Sequence, residues 1–257
     1  DIPTSENENL LKSVGPLISK GSVVTDTGIS KVQMVKLTNQ YLPQSVSFVG
    51  GRPLLRSTVS DFQNPSIKSF EDIPYCITTS KSTDPNAVRK VISIVEILRA
   101  KPFFLDTYEH DSYSAIATLL PVILSASLAN VLCKNSDWGS IQRILEPEIR
   151  EIFSFGSETL LHTIDAGLAM PDPITYWIDE VVHELKSYQT SIRDGDKSIS
   201  KRFDHVLKYN SRLKNPDCGT EKTDVDIPPT TTTIVESLLG KGLVNRYRRF
   251  TDKWKSN

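Results

Sequence analysis

Strands alternate with helices through residue 106, and from Thr107 onward helical patterns run without a convincing strand, so the sequence predicts an α/β region followed by an all-α region. A third observation supports the division. Between Tyr108 and Cys133 the apolar residues Ile116, Leu119, Leu120, Ile123, Leu124, Leu128, Val131 and Leu132 are too many for one wet helix face. That helix is expected to be buried on several sides, as at the centre of a bundle or a dimer.

The α/β region opens with a helix carrying apolar Leu10, Leu11, Val14, Leu17 and Ile18, then a strand SVVTD at 22–26 and a short helix over 29–37. Strands follow at 46–51 (VSFVGG), 74–79 (PYCITT) and 103–106 (FFLD). Between the last two, a helix over 84–99 is opened by Asp84-Pro85, a side-chain cap followed by a residue already fixed in helical φ. In the second half, further helices are expected at 138–153, 156–169, 173–193 and 197–213, the one at 173 following Asp172-Pro173. Residues 214–233 (NPDCG, DIPP, TTTT) read as a polar linker or disordered arm. A last amphipathic helix, about Ile234 to Trp254, mixes Val235, Leu239, Leu243, Tyr247, Phe250 and Trp254 with Lys241, Arg246, Arg248, Arg249, Lys253 and Lys255. It reads as a helix docking on its own domain, with membrane-surface or partner binding as the alternative.

At 257 residues with 38% hydrophobic and 24% charged residues, the chain has the composition of a soluble globular protein. Its formal net charge of -1 gives no basic excess for nucleic acid. Cys76, Cys133 and Cys218 are odd in number and form no C-x-x-C pair, so neither a disulfide framework nor a metal site is expected, and a reducing cytoplasm is the default. No run approaches the ~20 apolar residues of a membrane span. The start, DIPTSENENLL, lacks the features of a signal peptide and an initiator Met, leaving a fragment, a processed product or an incomplete reading frame open.

Four motifs stand in order: TDTGISK at 25–31, FVGGRPL at 48–54, DTYEHDSYSAIATLLP at 106–121 and AMPDPITYW at 169–177. Together they resemble the prephenate and arogenate dehydrogenase family of tyrosine biosynthesis, which shows a D-x-G-S-x-K turn, a G-G-H-P turn and an E-H-D-x-x-x-A-x-x-S-H-L-P helix. The resemblance covers roughly residues 1–210. It implies the C-terminal part of a Rossmann-like dinucleotide-binding domain over 1–106, a helical dimerisation domain over 107–213, and the extension 214–257. It further implies NAD or NADP as cofactor, prephenate or arogenate as substrate, and a homodimer. No G-x-G-x-x-G occurs, so the family's glycine-rich first turn is missing and tight dinucleotide binding by this chain is not expected. Strand 22–26 would then be a parallel edge.

By the same resemblance, Asp26, Gly28, Gly50 and Gly51 fall at cofactor-binding positions, and Arg52, Ser30 and Thr118 at substrate-binding positions. Several chemical positions depart from the family. Its reaction removes hydride from a hydroxyl-bearing ring carbon and loses CO2, which calls for a proton acceptor on that hydroxyl. The family's G-G-H-P histidine suits that role, whereas Arg52 stays protonated above about pH 12 and offers donors only. The serine of D-x-G-S-x-K becomes Ile29, the histidine of S-H-L-P becomes Leu119, and the arginine expected before the D-P helix aligns loosely with Gly167. Arg52 can still hold a carboxylate in bidentate fashion. His110 is the remaining catalytic candidate, with a polar cluster at a helix N-terminus as the structural alternative. His162, His183 and His205 show no ligand spacing. The reading is a prephenate/arogenate dehydrogenase-like protein, incomplete or impaired as this chain, with a non-catalytic homodimeric binding or interaction module as the alternative.

Overall fold

The computed structural model describes residues 2–55, 66–79, 83–153 and 157–214. Residues 215–257, and with them Cys218 and the expected C-terminal helix, lie outside the described residues. The chain divides into two compact units, 1–175 and 176–257, with the boundary inside one long helix.

The first unit is built on a four-stranded sheet in the order β1 (Val23–Thr25), β2 (Ser47–Pro53), β3 (Pro74–Thr78), β4 (Lys101–Leu105). β1 pairs with β2 in parallel, with Val24 opposite Phe48, and β3 with β4 in parallel, with Cys76 opposite Phe103. β3 runs antiparallel to β2, placing Thr78 opposite Gly50 and Cys76 opposite Arg52. Each half of β2 therefore meets a different partner. Each parallel pair is bridged by a helix, as a parallel crossover requires: α2 (Lys31–Tyr41) for β1 and β2, α3 (Pro85–Ile97) for β3 and β4.

α3 begins where its sequence says it should, Asp84 accepting the amide of Asn86 at 2.9 Å with Pro85 in the first turn. It buries Ala87, Val88, Val91, Ile92 and Val95, a 3.6-residue stripe. α1 (Asn7–Val14) is shorter than the expected helix and continues as a 3-10 turn over Gly15–Leu17. Of its apolar residues only Leu11 is buried, joining Met34 and Leu37 of α2, while Leu17 is 79% exposed.

The long helix of the second half runs from Thr107 to Cys133 in three stretches: α4 (Thr107–Ser114), a π turn (Ala115–Leu119) and α5 (Leu120–Cys133). A capping box starts it. Asp106 accepts from the amides of Tyr108 and Glu109, and Glu109 returns a carboxylate oxygen to the Asp106 amide. The π turn ends two residues before Pro121, whose missing N–H disturbs the regular ladder at that turn. Within the chain the helix is less covered than expected: Leu120, Val122 and Ser125 are the buried residues of α5, while Leu124, Leu128 and Val131 are exposed. By length and composition this 27-residue helix could cross a membrane. The expectation that no segment approaches a span is corrected to that extent. Ser112, Ser114, Ser125 and Ser127 interrupt its apolar residues and hide the length of the stretch from a search for unbroken runs.

The helix expected over 138–153 is two, α6 (Trp138–Ile144) and α7 (Pro147–Glu151). Glu146 is extended, at φ -67 and ψ 150, because the ring of Pro147 crowds an α-helical residue before it. α8 (Ser157–Ala169) completes the first unit and receives the N-terminal segment through the Ser5 amide, which donates to the Asp165 carboxylate at 3.1 Å. α9 (Pro171–Arg193) carries the chain into the second unit, where α10 (Ile199–Lys214) follows a turn with Gly195 at φ 64. In that unit the Tyr188 and Phe203 rings lie 5.7 Å apart, and the Arg202 guanidinium sits 5.4 Å from the Tyr188 ring centre.

Candidate functional site

Three turns meet at one corner of the sheet: the 26–31 turn after β1, the glycine pair at 50–51 in β2, and the first turns of α4. A buried cation holds the first two together. Lys31 is fully buried, and its ammonium donates to Asp26 Oδ2, the Gly28 carbonyl and the Gly51 carbonyl, each at 2.7 Å. Three donors meet three acceptors. The Asp26 carboxylate also accepts from the amides of Gly28 and Gly51, at 3.2 and 3.1 Å. Burial pulls the Lys31 pKa below its ordinary value, and Asp26 opposes that shift.

The glycine pair is required by packing. A Cβ on Gly50 would collide with Thr78 Oγ1, and one on Gly51 would lie 2.9 Å from the Asp26 carbonyl oxygen, Thr25 Oγ1 and the Tyr75 hydroxyl. Both directions are filled by protein, so neither glycine opens a cradle for a phosphate. Gly28 is likewise close-packed, its Cβ direction meeting Asp26 Oδ2 at 3.1 Å. The glycines at the expected cofactor positions are thus required by packing within the chain.

Asp111 ties α4 to this corner. Its carboxylate caps α2 from outside, accepting the Lys31 amide at 2.7 Å and the Val32 amide at 3.0 Å, where the helix dipole favours an anion. Ser30, at the N-cap position, makes no side-chain cap of its own; it is 1% exposed and its hydroxyl reaches Asp111 at 3.4 Å. A side chain so enclosed orients Asp111 and has no open face for a substrate.

His110 is 2% exposed, its Nδ1 2.9 Å from Asp111 Oδ1. Since Asp111 already accepts from two amides and a hydroxyl, the hydrogen-bond network assigns the imidazole proton to Nδ1. Nε2 is left as a bare acceptor, buried and without a partner among the described residues. Burial lowers the His110 pKa, against the Asp111 bond that raises it, and the Lys31 and Arg52 charges add to the lowering. The imidazole is thereby held neutral.

Arg52 leaves β2 beyond the glycine pair and crosses to the helix. Nη1 donates to Ser114 Oγ at 2.5 Å and Nη2 to Thr118 Oγ1 at 3.3 Å. Ser114 is buried and Thr118 exposed, so the guanidinium spans from interior to rim. Burial pulls the Arg52 pKa down, while Cys76, Asp111 and Asp26 pull it back; it remains a cation. No carboxylate pairs with it among the described residues. Facing it across the strand pair, the Cys76 thiol is pushed up to about 12 by burial and is inert. His110, Ser114 and Thr118 stand four residues apart on the helix, hence along one face.

Of the positions expected from sequence, Arg52 and Thr118 are brought together at an accessible edge, His110 lies on the same helix face, Gly50, Gly51 and Ser30 are buried, and Asp26 and Gly28 are half-buried. Ser114 was missed, although its four-residue spacing from His110 was the signal that could have found it. Among the described residues no cluster of His, Cys, Asp or Glu could hold a metal ion. Leu119, where a family histidine was expected, is 1% exposed and part of the core.

The family described as prephenate dehydrogenase, nucleotide-binding domain, matches residues 2–103. Among curated relatives, the prephenate dehydrogenase of Bacillus subtilis is 26% identical over 193 residues, covering 74% of this chain and 52% of the relative. That of Lactococcus lactis is 29% identical over 212 residues, covering 81% and 56%. The chain thus spans about half the length of the curated relatives it matches. The fold of 82% of the chain is shared with two crystal structures. One is Synechocystis arogenate dehydrogenase, at TM-score 0.67, 20% identity and 76% of that chain. The other is Aquifex aeolicus prephenate dehydrogenase in complex with hydroxyphenyl propionate and NAD+, at TM-score 0.68, 17% identity and 74% of that chain.

Proposed function

We propose that this chain, a relative of the prephenate and arogenate dehydrogenases, binds a cyclohexadienyl carboxylate of the prephenate or arogenate type at Arg52. The corresponding reaction is NAD- or NADP-dependent oxidative decarboxylation in cytoplasmic tyrosine biosynthesis. One observation carries the assignment of the anchor: Arg52 is a largely enclosed cation with no direct ion-pair partner among the described residues, held by two neutral hydroxyls and attracted only at longer range by Asp111 and Asp26. A planar carboxylate fits its remaining N–H groups in bidentate fashion.

Arg52 binds and orients; it does not accept a proton. The group with a free lone pair is His110 Nε2, and its enclosure keeps it from the rim where Thr118 lies. Turnover well below that of the curated relatives follows, because the hydroxyl proton has no exposed acceptor at the Arg52 position. The alternative is a non-catalytic homodimeric module that keeps the carboxylate site. Either way the second copy would cover the exposed apolar residues of α5 and α8, Leu124, Leu128, Val131, Leu161, Ile164 and Leu168.

Calorimetric titration of the full chain separates these readings. Binding of 3-(4-hydroxyphenyl)propionate that disappears in Arg52→Met supports the anchor. Binding unchanged in that variant refutes it. NAD and NADP are expected to bind no tighter than about 100 μM, and a dissociation constant near 1 μM would overturn the reading of the glycine positions.

A further inference from the structure

We infer that Ser114 is a positioning residue, which locks the Arg52 guanidinium in the orientation that presents its free N–H edge to a carboxylate. This inference rests on the reading of Arg52 as the substrate anchor and adds the residue that makes the anchor selective. No role at that site attaches to Ser114 from the motif, where it occupies one of the open positions between E-H-D and the alanine.

The geometry carries the argument. An arginine side chain has four rotatable bonds before its guanidinium and loses the rotamer freedom of all of them when fixed. At Arg52 the backbone is set by the antiparallel register with Cys76, and the far end by two hydroxyls on one helix face. Of those two, Ser114 holds the shorter bond and is buried, so water does not compete for it, whereas Thr118 is exposed. The helix is itself pinned, by the capping box at Asp106 and by Asp111 on the amides of α2. Ser114 is therefore a fixed acceptor on a rigid element.

A neutral acceptor matters here. A carboxylate at position 114 would hold Arg52 equally well and cancel its charge, leaving nothing for a ligand. A hydroxyl takes one N–H of Nη1 and leaves the charge intact. With Thr118 taking one N–H of Nη2, three of the five donors remain, one on Nε and one on each Nη. Two of these match the two oxygens of a planar carboxylate, which favours a carboxylate over a tetrahedral anion.

Two measurements on the full chain test this. In nitrogen-15 NMR of the unliganded protein, rotation of the Arg52 guanidinium about Nε–Cζ is expected to be slow, with resolved Nη signals, and to become fast in Ser114→Ala. In calorimetry, Ser114→Ala is expected to weaken 3-(4-hydroxyphenyl)propionate about tenfold. Ser114→Thr, which keeps the acceptor, should stay within about threefold of wild type. In an Arg52→Lys background, which keeps a cation and weak binding but has no planar fork to orient, Ser114→Ala should have little further effect on affinity, which a merely structural role would not produce. Fast rotation in the wild type overturns the inference whatever the affinities, as does an equal affinity loss in the Arg52→Lys background. If Ser114→Ala does not fold, the wild-type rotation rate and the rim variant Thr118→Val, expected to lose about threefold, decide the question. Slow rotation together with no binding of the carboxylate supports the clamp and overturns the anchor reading instead. Competition by inorganic phosphate at equal concentration overturns the selectivity.

Discussion

Lys31 and Arg52 flank the same glycine pair and meet opposite fates. Lys31 spends all three ammonium donors on Asp26, Gly28 and Gly51 and is fully enclosed. Arg52 reaches past Gly51 to two hydroxyls and keeps donors and charge in reserve. A cation whose partners are all supplied by the chain holds the fold together, and one whose charge is left over can act on something else. Both lie at positions that a motif would mark as functional, so the distinction comes from counting donors against acceptors.

The largest effect expected from this contrast is on stability. Lys31→Met leaves Asp26 as a buried carboxylate without its cation and should cost about 3–5 kcal/mol in equilibrium denaturation. A loss below about 1 kcal/mol would put Lys31 in the same class as Arg52. Next comes the glycine pair. Gly51→Ala drives a methyl against the Asp26 carbonyl, Thr25 and Tyr75, with an expected cost of about 1–3 kcal/mol, and the backbone carbonyl cannot rotate away. Native-like stability in that variant would mean the turn is looser than described.

Arg52→Met should change stability by no more than about 1 kcal/mol, the value of the hydrogen bond lost by the buried Ser114 hydroxyl, while abolishing carboxylate binding. A large stability loss would make Arg52 a second scaffold cation and erase the comparison. The smallest effect concerns pH. His110 has a pKa lowered in the folded state by burial, so its contribution to stability is present above the unfolded value of about 6.5 and is lost as pH falls through the lower folded value. His110→Gln should flatten the pH dependence of unfolding in that acid window, by at most the slope of one proton, about 1.4 kcal/mol per pH unit. An unchanged slope would show that His110 is not the titrating group.

Much of the fold was legible because the signals are local. Asp84-Pro85 opens α3, Asp106 with Glu109 opens α4, and the alternation of strands with helices sets the class. Two expectations failed for reasons equally local but outweighed in the reading: Pro147 divides 138–153 through the residue before it, and interspersed serines conceal the apolar length of 107–133. The antiparallel turn of β3 was not readable, since strand direction depends on how the connection folds back. In the site, the sequence shows the change of charge at Arg52, whereas the close packing around Gly50, Gly51 and Ser30 is visible only in the folded chain.

The sequence by itself determined the order of elements, the family resemblance, and the presence at position 52 of a group that can donate but not accept a proton. Those follow from periodicity, capping residues and side-chain chemistry, which belong to single residues and their near neighbours. Tertiary structure alone decided that Asp111, about eighty residues away in sequence, would cap α2 in place of Ser30, that Lys31 would be saturated, and that Ser114 would meet Arg52. Hydrogen-bond satisfaction is a property of pairs, and these pairs exist only once β2, α2 and α4 have come together.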